Sequence, residues 1–95
     1  MIIGVLKTHI HMQGIKSLKG KRSIVKSLIG RLKSRFNVSV AEVDHQDNKT
    51  SAVVAIVAVC NETSFLDSQL DTIISFMQND GRFYISQIDR ESFGA

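Results

Sequence analysis

The sequence predicts an α+β fold in which a four-stranded antiparallel sheet carries two helices on one face. Three observations lead there. Four short segments are apolar, alternating or continuous, and two longer ones repeat their apolar residues at helical spacing. The six follow one another as βαββαβ. Ninety-five residues suffice for one domain, residues 1–95, with one core and no second lobe.

Ile2 to Met12 alternates, with Ile2, Leu6, Ile10 and Met12 on one face and Lys7, His9 and His11 on the other. That predicts a strand with one face on a core, broken at Gly14. Ser17 is a good N-cap, and the first helix is predicted to follow it. Its apolar residues Leu18, Val25, Leu28, Ile29, Leu32 and Phe36 fall within about 100° of arc and form one buried stripe. Asn37 reads as a left-handed stop. Val38 to His45 predicts a second strand, whose apolar phase slips between Val40 and Ala41 as at a bulge. The polar run Gln46-Asp47-Asn48-Lys49 turns the chain back.

Ala52 to Cys60 is apolar on both faces and is placed at the centre of the sheet. Ser64-x-x-Asp67 has the capping-box pattern and opens the second helix, with Leu66, Leu70, Ile73, Ile74 and Met77 as its stripe. Asp80-Gly81 ends it, and Phe83 to Ile88 supplies the last strand. Short connections and right-handed crossovers then give the spatial order 4-1-3-2, a ferredoxin-like sandwich. Helices cover only one face of such a sheet. Val53, Val57 or Val59 on the other is left without cover, which predicts a homodimer through the open sheet face or an edge strand.

Hydrophobic residues make up 43% of the chain and mean hydropathy is +0.04, an ordinary globular balance without the polar bias of disorder. No apolar run approaches the roughly 20 residues of a membrane helix. The start of the chain lacks the basic, apolar and small-residue succession of a signal peptide. Cys60 is the single cysteine, so no internal disulfide can form. These features predict a cytoplasmic protein.

Charge is segregated. All 9 acidic residues follow Ala41, whereas 9 of the 12 Lys and Arg residues precede it. Eight basic residues crowd between Lys16 and Arg35 with no counter-charge among them: Lys16, Lys19, Lys21, Arg22, Lys26, Arg31, Lys33 and Arg35. Lys19, Arg22, Lys26 and Lys33 share about 60° of arc beside the apolar stripe, while Arg31 and Arg35 take its other flank. Lys16, Lys19, Lys21 and Arg22 cluster at the helix start, where free N–H groups and the dipole also favour an anion. The combination suits the phosphates of ribosomal or structured RNA. Against it stand a plain solvated face and an acidic protein partner. No aromatic residue interleaves with the patch, so backbone or shape readout is expected rather than base stacking.

Other chemistries find less support. Gly14 and Gly20-Lys21 fall one residue out of phosphate-loop spacing, and Arg22 replaces the magnesium-holding hydroxyl. Met12-Gln13-Gly14-Ile15 resembles the turn of acylphosphatases, but Ser17 and Leu18 stand where those enzymes have an aromatic residue and the catalytic arginine. His9 and His11 share a strand face about 7 Å apart, short of the three or four convergent donors that zinc needs. No catalytic set, metal site, cofactor or small-molecule substrate is therefore assigned. Glu42, Asp44, His45, Gln46 and Asp47 form either a polar turn or a recognition surface.

Two blocks carry a family resemblance. Ser17, Leu18, Lys19, Lys21 and Arg22 match an SLKxKR motif; Phe36, Asn37, Ala41, Glu42, Asp44, His45, Gln46 and Asp47 match a second block. The stretch from Ser17 to Asp47 resembles the signature of the YlxP-like family, small bacterial proteins of unknown function. Gly20 departs from the acid usual there, and Asn48-Lys49-Thr50 from the aromatic hairpin of many relatives. The resemblance implies a ferredoxin-like fold and an association with translation, and it carries over no catalytic residue. The expected function is non-enzymatic, ribosome-associated RNA binding through the first helix. The alternatives are a homodimeric protein-interaction module without nucleic-acid binding and, more weakly, an acylphosphatase-like or metal-dependent enzyme.

Overall fold

The computed structural model describes all 95 residues and runs β1 (Ile2–His11), α1 (Leu18–Arg35), β2 (Ser39–Asp44), β3 (Ser51–Cys60), α2 (Thr63–Gln78) and β4 (Tyr84–Gly94). The sheet order is β2-β3-β1-β4 with every neighbouring pair antiparallel, the predicted ferredoxin-like arrangement. Strand alternation sends Leu6 and Ile10 of β1, Met12 just past its end, and Ala52, Val54, Ile56 and Ala58 of β3 into the helix-facing core. Val25, Leu28 and Leu32 meet them from α1, and Leu66, Leu70, Ile73 and Met77 from α2. Leu18 and Phe36, at the two ends of the first stripe, are half-buried. A Cβ on Gly4 would lie 2.8 Å from Leu66 Cδ1, so glycine is what lets α2 settle this closely on β1.

Helix ends and strand lengths differ from expectation in four places. Ser17 caps α1 as predicted, its hydroxyl accepting from the Gly20 N–H at 3.1 Å. Asn37 is not a left-handed stop: α1 closes at an extended Phe36, and the one non-glycine residue with positive φ is His45, at 61°. The capping box of α2 does not form. Its N-cap is Glu62, and Ser64, already inside the helix, donates to the Glu62 carboxylate at 2.7 Å. The bulge lies between Glu42 and Asp44, later than the slip after Val40, and leaves Val43 as the extra residue.

The largest difference is β4, which runs on to Gly94. Its second half is polar, so periodicity offered no signal. Pairing supplies the cause: Asp89 to Gly94 match Lys7 to Ile2 along the whole first half of β1. Arg90 pins the extension from the helix side, donating to Asp71 at 2.6 Å and to the Asp67 carbonyl at 3.1 Å. On the uncovered sheet face, Val53 is not open as expected. It sits between His9 and the bulged end of β2 and is 1% exposed. Val57 is half-buried, and Val59 is 58% exposed.

Candidate nucleic-acid interface

The outer face of α1 is built by helical phase. Leu28 and Leu32 turn inward, and Ser27, Gly30 and Ser34 occupy about 60° of arc on the opposite side. Lys19, Lys26 and Lys33 form one flank of this strip, Arg31 and Arg35 the other. Long cationic side chains beside short ones leave a groove of about 390 Å³, floored by Ser27, Gly30 and Ser34 and walled by Lys26, Arg31 and Arg35. Open space lies above Gly30, where an added Cβ would meet nothing within 4 Å. Not one acidic residue stands on this helix.

The two arginines are held in place. Each guanidinium carbon lies 4.9 Å from the centre of the Phe76 ring. Arg31 also donates to Asp80 at 3.2 Å. Asp80 in turn holds Arg82, taking bonds from Nε at 2.6 Å and Nη2 at 2.7 Å, and Arg82 Nη1 donates to Ser27 at 3.0 Å on the groove floor. Arg82, paired with Asp80, thus ties the turn before β4 to the groove floor. Sequence reading missed it because it lies 55 residues from Ser27, inside the acidic half. The side-chain bonds from Arg82 hold the Asp80 carboxyl below its ordinary value of 3.8, against the desolvation that would raise it.

One predicted cation leaves the set. Lys21 is fully buried and cannot meet a ligand. Its Nζ lies 2.9 Å from Glu42 Oε2 and donates to the carbonyls of His45 and Gln46. The signal was present in the helical phase, which sets Lys21 between Leu28 and Leu32 in the middle of the apolar stripe. Lys16, Lys19, Arg22, Lys26, Lys33 and Arg35 carry no carboxylate partner.

The predicted recognition turn is accounted for in part by the same bonds. Glu42 faces Lys21. Asp44 accepts from the His45 N–H at 2.8 Å, and the left-handed His45 aims its carbonyl at Lys21. His45 Nδ1 lies 3.3 Å from the Ser51 hydroxyl. Asn48 closes the hairpin by accepting from Thr50 and Ser51. The Gln46 and Asp47 side chains point to solvent. The turn does not reach the groove, so the two predicted sites are separate: one holds α1 to the sheet, the other faces outward. His9 and His11 also part company, His9 lying 3.5 Å from Asp89 and His11 stacking on Tyr84.

Residues 3–90 match the family described as protein of unknown function DUF503. The chain belongs to that family. It is similar to the uncharacterized protein YlxP of Bacillus subtilis strain 168, at 27% identity over 78 residues, 82% of this chain and 85% of that protein. The two sequence blocks that carried the resemblance meet at the Lys21–Glu42 contact, which gives part of that signature a structural meaning.

Replacing Lys21 by Met is expected to cost about 3–5 kcal/mol in urea denaturation, because Glu42 is left without its counter-charge. The double variant K21M/E42L should lose clearly less than the sum of the two single losses; strict additivity would mean that the contact is not energetically coupled. Asp80→Asn should cost about 2 kcal/mol at neutral pH. The folded carboxyl binds protons less readily than the unfolded one, so its contribution is complete above the ordinary value of 3.8 and declines as pH falls below it. The stability gap between wild type and D80N, followed by denaturant titration from pH 7 downward, should therefore close only in acid.

Proposed function

We propose that this protein is a non-enzymatic, cytoplasmic binder of structured RNA such as that of ribosomes, and that it grips the phosphate backbone along α1. The groove over Gly30 carries the reading. It is walled by Lys26, Arg31 and Arg35 and floored by short side chains, so a phosphate can approach the helix between two cationic flanks. An 18-residue helix spans about 27 Å, long enough for several successive phosphates. Lys19, Lys26 and Lys33 have no internal partner and stay available for counter-ion release.

A second observation favours self-association beside RNA binding. On the sheet face away from the helices, Val59 is 58% and Phe93 47% exposed, and Ile3, Val5 and Val57 lie around them. We infer a homodimer that buries this apolar end of the sheet. Lys7 on β1 and Glu91 on β4, which have no partner in their own chain, are of opposite charge on the same face and suit a two-fold contact.

Changing Lys19, Lys26 and Lys33 together to Gln should weaken binding to ribosomal particles and flatten the plot of log affinity against log salt by roughly 0.7–0.9 per lost phosphate contact. The fold should be retained, since all three lie outside the buried stripe. Cosedimentation equal to that of wild type would show the face to be merely solvated. For self-association, analytical ultracentrifugation at tens of micromolar should give a dimer that Val59→Lys converts to monomer. A monomeric wild type would remove the dimer and leave the RNA reading untouched.

A further inference from the structure

We infer that the cleft at one end of the sandwich, between the turn after β1 and the turn before β4, is a binding site for a single unstacked nucleobase. It rests on the RNA reading above. The cleft measures about 420 Å³, within the range of pockets that enclose small ligands. Ile15, Ile24 and Phe83 give it apolar walls. At its rim the His11 and Tyr84 rings stack with centres 5.5 Å apart and planes 15° from parallel. Tyr84 remains 50% exposed, so its ring offers a platform on which a flat heterocycle can stack. The Gln13 side chain lines the same space and can both donate to and accept from a base edge.

Position argues for a nucleobase over any other planar ligand. Arg82 belongs to the cleft lining, and its Nη1 donates to Ser27 on the floor of the α1 groove at 3.0 Å. Asp80 fixes that guanidinium by two short bonds. The cleft and the cationic groove are therefore neighbours joined by one ordered arginine, which lines the cleft and bonds to the floor of the groove. A nucleotide has the matching parts, a flat ring and an adjacent phosphate. An apolar site beside a phosphate-holding helix suits a base turned out of a loop or bulge, the form in which structured RNA displays its bases. The linear sequence hid this, because His11, Arg82 and Tyr84 come from opposite ends of the chain and no aromatic residue lies within the basic run.

Tyr84 is the single tyrosine, so 3-fluorotyrosine labelling gives one fluorine resonance inside the site. Three probes separate the outcomes: an RNA hairpin with an unpaired loop, a blunt duplex of the same length, and a free nucleoside monophosphate at millimolar concentration. The hairpin is expected to shift the Tyr84 resonance while the duplex, bound through α1, does not. Tyr84→Ser should weaken hairpin binding roughly tenfold and leave duplex binding unchanged. A hairpin that binds in a salt-dependent manner without moving the resonance overturns the base site and leaves the RNA reading standing. If no RNA binds but the monophosphate shifts the resonance, the cleft takes free nucleotides and the RNA reading fails. If no probe moves it, the base site is wrong.

Discussion

A buried ammonium organises this small protein. Lys21 lies in the apolar stripe of α1 with no access to water, and such a charge is tolerable only where charge and dipoles surround it. Glu42 supplies the charge, and the carbonyls of His45 and Gln46 supply the dipoles. To aim its carbonyl inward, His45 takes a left-handed conformation that few non-glycine residues adopt. The bulge at Val43 lies between Glu42 and the turn, so the carboxylate and the two carbonyls that meet Nζ come from either side of it. One cation thus fixes the end of β2, the shape of the hairpin and the seating of the first helix.

Much of the basic block resolves into two kinds of charge. Lys21 is internal, and Arg31 shares Asp80 with Arg82. Asp80 is only 1% exposed along its side chain, so it orders the two arginines more than it neutralises the surface around them. Phe76 beneath Arg31 and Arg35 does the same work from an apolar direction. Guanidinium groups held by bonds and a ring lose less freedom on meeting a phosphate than free side chains do. The lysines on the other flank have no ring or carboxylate to hold them. Helical phase sets the two walls of the groove, and contacts from Phe76 and Asp80 order one of them.

The fold was legible because binary pattern dominates it. Every residue assigned to the two helical stripes is buried or half-buried, and the both-faced apolar run became a central strand. The candidate site was legible as a block of charge but not residue by residue. Lys21 reads as a surface cation by its charge, whereas its helical phase sets it between Leu28 and Leu32 on the buried side. The far end of β4 was missed because Asp89 to Gly94 take their strand conformation from pairing with β1 and from Arg90, neither of which leaves a local pattern. The Ser64 capping box failed for a related reason: the motif was present, but the helix begins one residue before Ser64, so the hydroxyl never meets the free N–H groups. Arg82 lay beyond reach because its partners are brought together only by the crossover from α2 to β4.

Topology also decides which surfaces can work at once. The first helix enters where β1 ends, and the turn before β4 returns to that same end, because β4 runs antiparallel beside β1. Right-handed crossovers hold both helices on one side of the sheet and leave the other open. The cationic groove therefore lies on the outer side of the helix layer, and the apolar patch of Val59 and Phe93 on the opposite side of the molecule. The RNA contact and the self-association proposed for this chain would not compete for surface. A two-fold pairing through the open sheet would turn the two first helices outward, one on each side of the dimer. Two separated phosphate-binding faces would then act on one RNA only if its backbone came within reach of both, which raises affinity through effective concentration and not through any new contact. Self-association in this fold would thus bear on avidity for a folded RNA, while the groove on each helix remains complete within a single chain.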